Sequence, residues 1–266
     1  MKKVLLTIAG FGFALGVFAQ EAAEKKVQAG LVAAAGMNFQ KMGTKNIAKN
    51  GVGGDLTIGA NVNFSFNNTI GFTTGLEFDF SSMRYKANTA TPTYYRFSDT
   101  EILRKEDPSG ANSLFLLKER SQKAVYITVP TMMLFRTNFI GYFRYFGKFG
   151  LRNSFLASSK TNDTGSSYSS ELPVGTATET TNENMKRKNE MFFYKGSIGL
   201  AGGAEWNFSG STCLVAELGF YYGFTPLYYS PKEDKRSLFT SDGVNSTYFS
   251  NAANQSQLQL KVSILF

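Results

Sequence analysis

Gln257-Leu258-Gln259-Leu260-Lys261-Val262-Ser263-Ile264-Leu265-Phe266 alternates without a break. Leu258, Leu260, Val262, Ile264 and Phe266 fall on one parity, and Gln257, Gln259, Lys261, Ser263 and Leu265 on the other. Successive side chains of a β-strand point to opposite faces, so this pattern is a strand standing between two different solvents. One face carries two amides, an ammonium and a hydroxyl; the other carries only hydrocarbon. Such a strand, closing on an aromatic residue, predicts the last strand of an outer-membrane barrel, with Phe266 as its insertion signal.

The opposite end agrees with an exported chain. Met1, Lys2 and Lys3 are followed by an uncharged apolar run from Val4 to Val17, too short to span a bilayer as a helix, and by Val17-Phe18-Ala19 before Gln20. That order predicts a signal peptide over residues 1–19, a polar periplasmic leader over 20–26 and an outer-membrane β-barrel domain over 27–266. Cys213 is the single cysteine, so no internal disulfide is available.

Aromatic residues make up 15% of the chain, with 25 Phe and 13 Tyr, which suits strands whose outer face meets lipid and whose ends carry aromatic girdles. The formal charge of +8 comes with no nucleic-acid module, so nucleic acid is not an expected partner. Anionic lipid headgroups or acidic partners suit the excess better.

From Val27 onward, alternating runs are separated by short and long connections in turn. Val27 to Phe39, Asp55 to Phe66 and Ile70 to Phe80 are the first three, with Asn67-Asn68 as a tight turn between the last two. Ala124 to Phe135 is the fourth, and Pro130 within it predicts a bulge, because proline removes a ladder donor. The fifth spans Arg144 to Phe155, the sixth Tyr194 to Phe208 up to the turn Ser209-Gly210-Ser211, the seventh Leu214 to Phe224, and the eighth ends the chain. The expected fold is therefore all-β: a closed antiparallel up-and-down transmembrane barrel of about eight strands, ten being the alternative. Its turns are short on the periplasmic side. Its connections 82–123, 158–190 and 225–254 are long extracellular loops, the second read as solvated from its Ser, Thr and Asn content.

Parity also assigns the charges. Asp55, Glu77, Asp79, Glu205 and Glu217, with Arg144, Lys148, Arg152, Lys195 and Lys261, fall on the inward faces. At mid-depth a lipid-facing lysine or arginine costs about 2 to 4 kcal/mol, which forces these groups into the lumen. In a narrow cylinder five acids and five bases pair and plug; in a wider one they line a conduction path. Arg144, Glu205, Glu217 and Lys261 are expected at similar depth, and Phe193, Tyr126 and Tyr221 are expected to share the interior. Asp55, Glu77 and Asp79 offer oxygens that could suit Ca²⁺, the plainer reading being pairing with the basic set.

Gly196, Gly199, Gly202 and Gly203 follow no parallel strand and open no helix; they read as space for bulky neighbours such as Tyr221, not as a dinucleotide loop. The chain has no histidine, so hydrolytic or acyl-transfer chemistry lacks its usual proton acceptor near neutral pH. No catalytic residue, cofactor or metal is expected.

Tyr126-Ile127-Thr128-Val129-Pro130, Gly196 to Glu205, and Glu217 with Tyr221 to Phe224 resemble the PorT-like family of small bacterial outer-membrane β-barrels. Phe135 and Arg136 depart from the small residue and lysine usual there. The resemblance implies a bacterial outer-membrane barrel, with named relatives attached to a protein-secretion apparatus. The resulting expectation is a non-enzymatic structural or adaptor barrel, with a small-solute diffusion pore or a surface adhesin as alternatives. Its expected partners are outer-membrane lipid, the barrel-assembly machinery and secretion components. Docking is expected through the leader and Arg136 on the periplasmic side, or through Tyr94 to Phe97 and Leu114 to Leu117 outside.

Overall fold

The computed structural model describes residues 26–107, 113–169, 176–186, 190–209, 212–228, 232–242 and 245–266. The expected signal peptide, all of the leader but Lys26, and Gly210-Ser211 of the last turn lie outside the described residues, as does the side chain of Phe208. Eight long strands carry the fold: β1 (Val27–Met42), β2 (Gly53–Ser65), β3 (Ile70–Ala87), β4 (Ser113–Arg136), β5 (Phe143–Tyr168), β6 (Tyr194–Ser209), β7 (Thr212–Gly223) and β8 (Ala253–Leu265). Each pairs antiparallel with the next, and β8 returns to β1 from Gly30↔Leu265 to Met42↔Ala253. The ladder is a ring of eight, an all-β up-and-down barrel. Closure of this kind leaves no unpaired edge where lipid could meet bare backbone.

The outer surface follows the alternation. Leu31, Leu56, Phe78, Phe149, Leu218 and Leu260 stand exposed on one parity, while Asn38, Thr57, Glu77, Arg152, Glu217 and Lys261 are buried on the other. At the β2–β3 turn, Asn67 Oδ1 accepts from the backbone N–H groups of Thr69 and Ile70 at 2.9 and 2.7 Å, tying the hairpin with its own side chain.

Glycine creates room where the interior is tightest. A Cβ on Gly199 would meet Tyr221 Cδ1 at 2.3 Å, and one on Gly219 would meet the Tyr221 hydroxyl at 2.7 Å. The fully buried Tyr221 ring therefore depends on two residues without side chains.

Three expectations need correction. Pro130 makes no bulge: toward β3 the pairing skips from Thr74↔Thr131 to Glu77↔Thr128 with the register kept, while Pro130 still stands opposite Arg152 on β5. One missing donor interrupts the ladder without requiring an extra residue. The bulge lies instead on β5, where Tyr126 pairs with Leu156 and Val125 with Ser158, leaving Ala157 unmatched. Phe193 is 65% exposed and does not fill the lumen.

The supposed loops are the third correction. β3, β4 and β5 run well past the apolar belt as paired strands, so Ser82–Ala87, Ser113–Lys123 and Ser158–Tyr168 are sheet. Short strands extend this annex: Ile47–Lys49 on β3, Thr93–Ser98 on β4, Thr178–Met185 on β5, and the hairpin Phe239–Ser241 with Ser246–Tyr248 beyond Thr93–Ser98. Tyr85, Tyr95, Phe115, Leu117, Met185 and Tyr228 form its core. Above the membrane the outer face meets water, so the apolar half of the alternation disappears there. Thr and other β-branched residues nonetheless favour extended backbone.

Candidate functional site: the filled lumen and its extracellular cap

Inward parity on eight strands brings residues distant in sequence into one polar column. Arg152 on β5 is its hub. Its guanidinium donates across the lumen to Glu77 on β3 at 2.9 Å, to both oxygens of Asp79 at 3.0 and 2.9 Å, and to Gln259 on β8, while its Cζ lies 4.9 Å from the centroid of the Tyr221 ring. Lys261 donates to the other oxygen of Glu77 at 2.6 Å. Thr57 and Thr128 donate to Asp79, both at 2.6 Å. A planar fork reaching two carboxylates and an amide from one strand ties it to two others, β3 and β8.

Below this hub the partners differ from a simple cross-strand scheme. Arg144 bonds Glu205, its register partner, and Arg136 lies 3.2 Å from the same carboxylate. Glu217 stands opposite Lys261, but Lys148 donates to it at 2.6 Å and Lys261 reaches over to Glu77. Glu205 is level with Val215, two residues from Glu217, so the four groups expected at one depth occupy two tiers. Arg136, expected to face a periplasmic partner, is buried against Glu205 and Ser65.

Above the hub, Gln257 donates to Asp55 at 2.6 Å. The Lys195 ammonium lies 4.3 Å from the centroid of the Tyr126 ring with no hydrogen-bond acceptor among the described residues. No group of three or more metal-ligating His, Cys, Asp or Glu side chains occurs among the described residues. Arg152, Thr57 and Thr128 occupy the Asp79 oxygens that a cation would need.

A second cluster, in the annex, lies where sequence reading saw loops. Arg120 donates two parallel bonds to Asp163, both 2.7 Å, and further bonds to Glu190 at 2.9 Å and the Tyr85 hydroxyl at 3.2 Å. Burial alone would lower the Arg120 pKa, but Asp163, Tyr85 and Glu190 together outweigh it and hold the guanidinium well above its ordinary value. Burial pushes the Tyr85 phenol up to about 12. Arg120 shares the even parity of Tyr126 and Ala124, a signal that could have extended β4 upward. Tyr94, Tyr95, Leu114, Phe115 and Leu117 are buried in this annex, so the apolar patches expected to dock partners are already covered.

A cylinder of eight lipid-facing strands around a bonded polar interior defines a small barrel of the outer-membrane type. The family model for the outer membrane protein beta-barrel domain matches residues 18–229, and the chain belongs to that family. It is a protein of the bacterial outer membrane. No curated protein matches it. Similar solved structures include the attachment invasion locus protein Ail of Yersinia pestis, in complex with the heparin analogue sucrose octasulfate. It is 12% identical, covering 91% of this chain and 100% of that chain, with a TM-score of 0.35. OprG of Pseudomonas aeruginosa is 6% identical, covering 90% and 94%, with a TM-score of 0.39. The protease OmpT of Escherichia coli is 11% identical, covering 93% and 98%, with a TM-score of 0.31.

Proposed function

We propose that this barrel acts by contact, as a PorT-like structural or adaptor component linked to protein secretion or surface assembly, and neither conducts solutes nor catalyses a reaction. The supporting observation is the Arg152 hub: one side chain spans the lumen from β5 to β3 and β8, held by bonds to two carboxylates and an amide. An eight-stranded barrel has an interior that side chains just fill, so a knot at that point leaves no wide aqueous path. The absence of histidine from the sequence supports a non-enzymatic reading. Residues 1–19 serve as the export signal in this reading, and the barrel-assembly machinery and a secretion complex are its protein partners.

A second reading, attachment to an external surface, is favoured by the annex, whose packed sheet could present a rigid face. Purified protein in planar bilayers should give no stable porin-sized conductance steps, and deletion should remove specific proteins from the culture supernatant without changing small-solute permeability. Reproducible conductance would replace the contact model with a diffusion pore. An unchanged supernatant with lost surface binding would favour attachment.

A further inference from the structure

The outward faces of β3, β4 and β5 change character at the same level. Phe80 stands opposite Val125 and Val125 opposite Ser158 at the top of the apolar belt; one outward step higher, Ser82 stands opposite Lys123 and Lys123 opposite Lys160. Lys123 and Lys160 are therefore direct cross-strand neighbours, and both are exposed. Like charges directly opposite one another on a sheet repel and destabilise the pair. Arg84, exposed and opposite Ser121, lies diagonally beside Lys123 and adds a third positive charge. None of the three forms an ion pair among the described residues. The nearest outward acid on these strands, Glu119, is two outward steps above Lys123 and opposite Lys86.

The β5 bulge makes the cluster. Below Ala157 the even-numbered residues Arg144, Lys148 and Arg152 point inward; above it Thr161 and Asp163 are buried and Lys160 points out. Without that extra residue Lys160 would face the interior.

We propose that Arg84, Lys123 and Lys160 form a binding site for the phosphate of an outer-leaflet lipid headgroup. With the short turns periplasmic, this row sits at the extracellular end of the hydrocarbon, where headgroup phosphates lie. Two ammonium groups on one step of the sheet and a guanidinium one outward step above match a phosphate's charge and acceptor oxygens, and a bound phosphate relieves the Lys123–Lys160 repulsion. The apolar rows directly below supply contact for the acyl chains of the same lipid.

The test uses the full mature chain in detergent micelles doped with a bisphosphorylated glycolipid, its dephosphorylated form, or inorganic phosphate without lipid. The triple variant Arg84→Gln, Lys123→Gln, Lys160→Gln is compared with Lys45→Gln, Lys232→Gln, Lys235→Gln, which removes equal charge elsewhere; retained heat-modifiable gel mobility reports that each has folded. The phosphorylated lipid should bind the wild type and the control variant alike, and the site variant on the order of 100-fold more weakly, as three charges near an anionic surface imply. Equal binding of the dephosphorylated lipid, equal loss in both variants, or binding of inorganic phosphate as tight as that of the lipid would each overturn the proposal.

Discussion

Replacing Arg152 by methionine removes the lumen hub while keeping similar length and volume. Glu77 would keep Lys261 at 2.6 Å, but Asp79 would keep only the hydroxyls of Thr57 and Thr128, and Gln259 would lose its guanidinium partner. Asp79, buried, is then left without an ion-pair partner. Breaking a buried pair in this way costs about 3 to 5 kcal/mol, because the remaining charge has lost both water and partner. Adding Asp79→Asn should recover at least about 1 kcal/mol, since the uncompensated charge goes with it. Urea unfolding from lipid vesicles, followed by the fluorescence of Trp206, the only tryptophan, reads the difference directly. Glu183→Ala, at an exposed position on the Thr178–Met185 strand, serves as the surface control. If Arg152→Met and Glu183→Ala both stay within about 0.5 kcal/mol of wild type, the lumen bonds do not hold the barrel and the reasoning fails.

Three further outcomes are expected. Arg120→Met should open the extracellular annex by about 3 kcal/mol or more while sparing the membrane belt, seen as faster amide exchange at Thr178–Met185 without matching change in β7 and β8. Gly199→Ala should destabilise by about 1 to 3 kcal/mol, since its methyl would collide with the Tyr221 ring; Tyr221→Leu in the same chain should relieve part of that cost in vesicle unfolding. The hydrogen bond from Lys118 lowers the Glu179 pKa from 4.5, so the bond's contribution is complete above that value and is lost as pH falls through the folded-state pKa. Exchange at Thr178–Met185, normalised to intrinsic rates, should therefore quicken between about pH 6 and about pH 3, and Glu179→Gln should abolish that change.

Period-two alternation carries most of the fold here because lipid and lumen impose opposite demands on adjacent residues. Gln259, Lys261 and Ser263 could be set against Leu260, Val262 and Ile264 from ten residues of sequence. Partners could not be read the same way. Lys261 stands opposite Glu217 but bonds Glu77, because long side chains in a narrow cylinder reach past their register neighbour. Asp163 was hidden for another reason: the extra residue at Ala157 flips parity within β5, and nothing in Leu156-Ala157-Ser158-Ser159 marks which residue is unmatched. The annex was missed because composition stood in for conformation. A Ser- and Thr-rich segment lacks the apolar content that signals a core, yet Thr161 and Asp163 are buried between β4 and Thr178–Met185.

The pairing of β8 with both β1 and β7 has a consequence for stability. The strand that zips the seam also delivers Lys261 to Glu77, across 184 positions of sequence, and Gln257 and Gln259 to the side chains around Asp55 and Thr57. Without that strand the cylinder would have an open hydrogen-bonding edge, and Glu77 would lack its ammonium partner. The final strand is thus a latch whose backbone half and electrostatic half sit on the same thirteen residues, so that a change made to open one also loosens the other.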